Sequence, residues 1–165
     1  MSEGLAALYD WVKQTREPLM AALEKLGPER YRAAQATLAG DSVRDRHLHI
    51  AQCYIYWVAR VALEEGVPDP RVADFADPAS ARDAFAVADG AVERLLERFA
   101  GRMDERIERK SGEFTGEFTP RWLLSHPITH EFNHKGQIVV VLRMFDVDPG
   151  DTDLIYPFPY HPTSA

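Results

Sequence analysis

The sequence lacks three features that define whole classes of protein. It contains one cysteine, Cys53, so no internal disulfide framework can form. It has no block of basic residues, and its net charge of −7 argues against non-specific nucleic-acid binding. Its main apolar stretch, residues 48–63, is interrupted by polar side chains and is too short to span a bilayer. We therefore expect no nucleic-acid partner and no membrane segment.

The first residues also lack the basic region and the long apolar region of a signal peptide, so we expect a cytoplasmic protein. A chain of 165 residues is long enough to bury a sizeable core. Its hydrophobic content of 45% excludes a disordered chain. Together these properties predict a single domain that spans residues 1–165.

Hydrophobic side chains recur at helical spacing in four long segments. The first helix is predicted over about residues 3–26, with a kink at Pro18. The second helix is predicted over about residues 43–65, because Ser42 and Asp45 have the spacing of a capping box. This second helix is apolar on most sides, which predicts that it is largely buried.

The second half of the chain predicts two further helices. Asp77 is expected to cap the third helix, with proline in its first turn. The glycine-containing repeat at 112–119 predicts a loop or hairpin, and the fourth helix follows over about residues 120–145. Pro127 should bend or locally open that helix, and the tail from Asp146 should be extended. The pattern predicts an all-α fold, a four-helix bundle with long connections.

Three histidines, His126, His130 and His134, recur at intervals of four residues in the fourth helix. Each step of four residues turns about 40° beyond a full circle, so the imidazoles lie along one stripe. Two neutral imidazoles one turn apart can bind a single divalent metal ion. Bundles build metal sites from facing helices, and the second helix offers His49. His47 lies about 160° away around that helix and should face solvent or a neighbour.

The same stretch also fits the H-E-x-x-H pattern of zinc proteases, in which Glu131 would activate water. The extended form of that pattern requires glycine and histidine where this chain has Gln137 and Val140. No glutamate follows Glu131, which removes a downstream glutamate ligand. These departures disfavour a protease. A solvated row of histidines without metal stays as the simpler alternative.

Five other side chains near the histidines are open to two interpretations. Glu131 and Gln137 are catalytic candidates, because either can orient an imidazole and Glu131 can also act as a base. Arg60 is a candidate for binding an acidic cofactor, although a structural ion pair explains it equally well. Cys53 is either a small buried hydrophobe or a ligand. His126 precedes a proline and either packs or binds metal.

Two segments of the sequence, residues 44–57 and residues 126–138, together resemble the DinB/YfiT superfamily of damage-inducible proteins. The closing Asp151–Leu154 is similar to this family as well. The resemblance implies a four-helix bundle that binds a divalent metal, often nickel or zinc. Many relatives have histidine where this chain has Asn133, but that position is not a ligand in the family.

Carried over to this sequence, the family's metal ligands are His49, His130 and His134. Family members with known activities use low-molecular-weight thiols as cosubstrates. The resemblance therefore implies a metal-dependent enzyme of the thiol S-transferase type, acting on a small molecule. A stress-related metal-binding protein without turnover and a metal-dependent hydrolase are the alternatives. A homodimer is also expected, with Tyr9 and Trp11 as packing or dimer contacts.

Overall fold

The computed structural model describes residues 2–154, and it confirms the predicted all-α fold. Six α-helices and one small hairpin follow one another within these residues. They are α1 (Ser2–Gln14), α2 (Arg16–Leu26), α3 (Pro28–Arg32), α4 (Val43–Tyr54), α5 (Ala81–Arg98), β1 (Ile107–Ser111), β2 (Phe114–Phe118) and α6 (Pro120–Met144). The four long segments of the predicted bundle correspond to α1 with α2, α4 with its continuation, α5 and α6.

The first predicted helix is broken at Thr15, between α1 and α2. The Thr15 amide donates to the carbonyls of Trp11 and Val12 at 3.2 and 3.1 Å, a pattern that ends a helix. Pro18 has no amide hydrogen to continue the α1 ladder across this point. The predicted kink is therefore found as a break just before the proline. It turns Arg16 inward, where its side chain is only 5% exposed.

The second helix begins as predicted, with a capping box. The Asp45 amide donates to Ser42 Oγ at 3.1 Å, and the Ser42 amide donates to the Asp45 carboxylate at 2.9 Å. After Tyr54 the helix continues as a π-helical segment, Ile55–Ala62 (the π segment), which the sequence pattern did not predict. Each hydrogen-bonded ring there contains one more residue than in an α-helix, so side chains beyond it leave the α4 face.

The third helix begins at Ala81, so the prediction that Asp77 caps it is wrong. Asp77 instead closes a short turn before the helix. Its carboxylate accepts from the Ser80 amide at 2.8 Å, and Ser80 Oγ donates to the Asp77 carbonyl at 2.8 Å. These hydrogen bonds between Asp77 and Ser80 stabilise a turn instead of a helix. The sequence Asp77-Pro78 therefore does not mark the first turn of α5.

The glycine-containing repeat forms an antiparallel hairpin in which Ser111 pairs with Phe114. Gly112 lies at its turn with φ of 62°, a conformation that glycine adopts without strain. The fourth helix, α6, begins where Thr119 accepts a hydrogen bond from the Trp122 amide at 3.2 Å. It continues through Pro127, so the predicted local opening is not observed. Pro127 is among the buried residues of this helix.

The central helix of the bundle is α4, which packs against α5 and α6, while α1 contacts the same two helices. Large fully buried side chains come from α1, α2, α4, α5 and α6. They include Tyr9, Leu19, Leu23, Ile50, Tyr54, Leu95, Leu123 and Ile138. None of the helices within residues 2–154 combines the length and apolar character needed to cross a membrane.

His47 lies in this core, with 1% of its surface exposed. Its Nδ1 is 2.9 Å from the hydroxyl oxygen of Tyr31, and its ring packs against Phe75 and Phe85. Of the two predicted environments, the structure therefore selects a neighbour rather than solvent. Burial lowers the pKa of His47 to about 3.

This buried imidazole predicts an acid-sensitive fold. Between about pH 6.5 and 3 the unfolded chain binds a proton at His47 that the folded chain does not. Over that range the group should lower the free energy of unfolding by about 1.4 kcal/mol for each unit of falling pH. Urea unfolding from pH 7 to pH 5, with chelator present, should show a steeper loss for the natural protein than for His47→Gln. Equal slopes would contradict the prediction, since every other histidine is common to both proteins.

Candidate metal centre

Three of the predicted ligands lie together between two facing helices. His49 comes from α4, and His130 and His134 come from successive turns of α6. The ring centroids are 4.8 Å apart for His49 and His130, 5.0 Å for His49 and His134, and 4.4 Å for His130 and His134. One ring nitrogen from each histidine lies within 4.8 Å of the others. The structure therefore brings together the three histidines that the family resemblance implied as ligands.

The cluster lies where the core meets the solvent. His134 is 5% exposed, His130 is half-buried and His49 is exposed. The inner two imidazoles are thus held by packing on α6, while the outer one borders open space. Catalytic metal sites keep a coordination position for water or substrate, whereas structural sites are closed by protein ligands. Exposure of His49 leaves room for such a molecule on the solvent side.

Two observations show that the ring nitrogens suit a metal ion. Nδ1 of His134 lies 2.7 Å from Oε1 of Gln137. An amide oxygen only accepts, so this nitrogen carries the proton and Nε2 keeps its lone pair free. Nε2 of His130 is buried and has no hydrogen-bond partner within residues 2–154. A buried polar atom without a partner is costly, and a metal ion would satisfy it.

The protonation state also fits metal binding. Burial, followed by repulsion from His134 and then His49, lowers the pKa of His130 to about 4. The pKa of His49 is lowered by burial and by His134. Because a neutral imidazole is the form that binds metal, His49 and His130 are both in the ligand form at neutral pH.

Gln137 was predicted to lie near the histidines, and its side chain contacts the His134 ring, so we expect it to orient that ring. Gln137→Leu should weaken binding of a divalent metal on the order of 10–100-fold, the usual cost of removing such a partner. Isothermal titration with Ni²⁺ or Zn²⁺ measures this change. Gln137→Glu keeps an acceptor and should retain most of the affinity. Unchanged affinity in Gln137→Leu would show that the hydrogen bond does not orient the ligand.

Glu131 is placed differently from the catalytic candidate that the sequence suggested. Its carboxylate is 1% exposed and accepts two hydrogen bonds from Arg16, each of 2.9 Å, and one from Tyr54 of 2.7 Å. Lys135 Nζ lies 3.1 Å from the same carboxylate. Burial raises the pKa of this group, but Arg16 and Lys135 outweigh it and hold the pKa at about 2. Glu131 is therefore a buried counter-ion rather than a base beside the metal.

Arg60 is likewise engaged in structure and not in a cofactor site. Its Nε and Nη2 both donate to the Val67 carbonyl at 3.0 Å, and Nη1 donates to Asp69 at 2.9 Å. Arg60 lies in the π segment, where the extra residue per ring removes it from the face that carries His49. A cleft of about 600 Å³ borders the loop that it holds, but none of the three clustered histidines lines that cleft.

Cys53 and His126 lie one turn along α4 and α6 from the three-histidine cluster. Cys53 is 8% exposed, and burial raises its thiol pKa to about 12, so it is not an activated nucleophile. The His126 ring stacks between Trp122, at 5.3 Å, and His130, at 5.8 Å. His126 thus packs against aromatic rings, which is one of the two predicted interpretations. One of its ring nitrogens also lies within 4.8 Å of the Cys53 sulfur and of a ring nitrogen of His130.

Comparison with known proteins supports the fold. No protein with a curated function matches the chain. The sequence model of the DinB family matches residues 1–159, which is nearly the whole chain. The match includes both helices that carry the clustered histidines, His49 on α4 and His130 and His134 on α6. The chain belongs to the DinB family.

Proposed function

We propose that His49, His130 and His134 bind one divalent metal ion, nickel or zinc, and that the protein is a metal-dependent enzyme acting on a small molecule. The observation that carries the proposal is the cluster itself. One ring nitrogen from each of three imidazoles on facing helices lies within 4.8 Å of the others, and His49 exposes the cluster to solvent. Imidazole ligands of this kind suit zinc and nickel.

The reaction that we propose is thiol transfer. A divalent ion at the site supplies Lewis acidity, which lowers the pKa of a thiol or water that it coordinates. Cys53 is the only cysteine in the chain, and its buried thiol is not available as a nucleophile. A low-molecular-weight thiol supplies the missing one: its proton passes to solvent, its sulfur bonds to an electrophilic carbon, and the leaving group departs with the bonding electrons.

The neighbouring surface supports an organic substrate with an apolar portion. Trp122 is 45% exposed, and its ring lies 5.3 Å from Trp57 and 5.6 Å from Phe118. His126 connects this aromatic cluster to His130 by stacking. Apolar and aromatic side chains around a few polar groups are typical of small-molecule sites. Such a substrate can rest on the aromatic rings while its reactive atom lies beside the histidines.

The test compares the natural protein with His134→Ala in the presence of an electrophile and bacillithiol, mycothiol or glutathione. One thiol should support turnover by the metal-loaded natural protein, and His134→Ala should reduce it at least on the order of tenfold. Val140→Ala is a matched control, because this exposed residue is on the same helix and outside the cluster. Equal rates for the natural protein and His134→Ala with every thiol would exclude thiol transfer.

A metal-binding protein without turnover is the second candidate. The exposed position of His49 favours it, since a shallow site gives a substrate little enclosure. A protein that binds stoichiometric metal but catalyses neither a thiol-dependent reaction nor hydrolysis would have this role.

The single-domain organisation and the homodimer stay predictions. Limited proteolysis of the purified protein can test the first, and light scattering can test the second.

A further inference from the structure

The ligand-type side chains continue beyond the three-histidine cluster. On α4, Cys53 follows His49 by one turn, and on α6, His126 precedes His130 by one turn. The thiol sulfur of Cys53 and one ring nitrogen from each of His126 and His130 all lie within 4.8 Å of one another. The two facing helices therefore repeat the same arrangement one turn further along.

We propose that Cys53, His126 and His130 form a second metal site that takes thiophilic ions such as Zn²⁺ or Cd²⁺. A thiolate with two imidazoles is a softer ligand set than three imidazoles, so it selects softer metals. Neither the matched family nor the three-histidine cluster assigns a role to Cys53. The new site does not depend on any catalytic activity of the protein.

The ligand atoms are close to the separations that a bound metal requires. Ligand atoms around a tetrahedral zinc lie roughly 3.3–3.5 Å apart, given Zn–N and Zn–S distances of about 2.0 and 2.3 Å. The present separations are all within 4.8 Å, so binding requires the side chains to rotate and bring the ligand atoms closer together. Stacking between Trp122 and His130 already limits the orientations of His126.

The two sites share one ligand, so they compete with each other for metal. His130 belongs to both clusters, and a neutral imidazole offers one lone pair at a time. A single ion can therefore occupy either the three-histidine site or the cysteine-containing site, but His130 does not serve both together. A harder ion such as Ni²⁺ should select the three histidines, whereas Cd²⁺ should select the set that contains sulfur.

The surroundings of Cys53 favour a bound thiolate over a free one. The side chain is 8% exposed, and the Trp57 ring packs against His126 with the two ring centroids 5.1 Å apart. Metal binding would release the thiol proton to solvent and replace it with a cation, so the buried sulfur would gain a partner for its charge. His126 and His130 are half-buried, so water can occupy the fourth coordination position of a tetrahedral ion.

The chain contains one cysteine, so any thiolate–metal absorption in a thiol-free buffer reports on Cys53 alone. Titration of the metal-free protein with Cd²⁺, and separately with Co²⁺, should produce a sulfur-to-metal charge-transfer band in the ultraviolet. His134→Ala removes the first site and should keep the band. Cys53→Ser should lose it and bind Cd²⁺ more weakly, on the order of tenfold or more, while its Ni²⁺ affinity stays within a few-fold.

The Cd²⁺ titration of the natural protein tests the second site even if a variant does not fold. Absence of the charge-transfer band from the natural protein at saturating Cd²⁺ would overturn the second site. Equal Cd²⁺ affinity of the natural protein and a folded Cys53→Ser variant would overturn it as well. Far-ultraviolet circular dichroism establishes that each variant retains its helices.

Discussion

His130→Ala is expected to abolish binding of Ni²⁺ and Zn²⁺, because His130 contributes to both ligand clusters. His126→Ala is the matched control: it removes an imidazole from the same face of the same helix. That variant should retain nearly stoichiometric Ni²⁺, since His49, His130 and His134 remain. Elemental analysis of the purified proteins and calorimetric titration measure the difference. Stoichiometric Ni²⁺ in His130→Ala would refute the three-histidine site.

The same binding should stabilise the protein without being required for folding. The apolar core of the bundle is continuous across its helices and does not depend on the histidines. Ligand binding adds stability by mass action, about 2.7 kcal/mol at a free metal concentration 100 times Kd. Chelation should therefore lower Tm of the natural protein while its helical circular dichroism persists, and should leave the Tm of His130→Ala unchanged. An unfolded metal-free protein would contradict this expectation.

Glu131→Gln should cause the largest loss of stability of any single substitution considered. The change is nearly isosteric, but it removes the counter-charge of the buried Lys135 and one of the two carboxylates that pair with the buried Arg16. Breaking a buried ion pair by removing one partner costs about 3–5 kcal/mol. Urea unfolding at neutral pH measures this loss directly. The same substitution tests the predicted role of Glu131 as a base. Replacing a purely catalytic carboxylate would lower the enzyme's activity without lowering the free energy of unfolding by this amount.

Glu65→Gln is the matched control for this substitution. Glu65 also forms two hydrogen bonds with an arginine, Arg94, at 3.0 and 2.8 Å, but both side chains are partly exposed. Solvent screens such a pair, so its loss should cost less than about 1 kcal/mol. Comparable losses of stability in the two variants would mean that burial does not set the strength of the Glu131 network.

Local sequence signals predicted the features that depend on nearby residues. Ser42 and Asp45 form the expected capping box, and the glycine-containing repeat forms a hairpin. The four-residue spacing of the histidines on α6 brought their rings together, because the α-helical geometry alone fixes that relation. Gln137 was found near the cluster for the same reason.

Features that depend on distant residues were missed. The sequence analysis did not predict the ion partners of Glu131: Lys135 lies one turn away on the same helix, but Arg16 lies 115 residues away along the chain. No local pattern identifies that partner. The π segment also escaped prediction, because its residues are compatible with an α-helix and the packing of the bundle selects between the two. Of the two interpretations of Arg60, the structure shows the ion pair, which Arg60 forms with Asp69.

The charge network of Glu131 joins α6 to the break between α1 and α2, and through Arg16 to α5. The forked guanidinium of Arg16, fixed where the first helix breaks, contacts both carboxylate oxygens of Glu131, and Asp89 on α5 contacts the same guanidinium at 2.6 Å. Sliding α6 along its axis or rotating it would separate these charges in a dry interior. The network therefore fixes the position of α6 in the bundle. The neighbouring His130, on the same helix, is held in place before any metal ion binds.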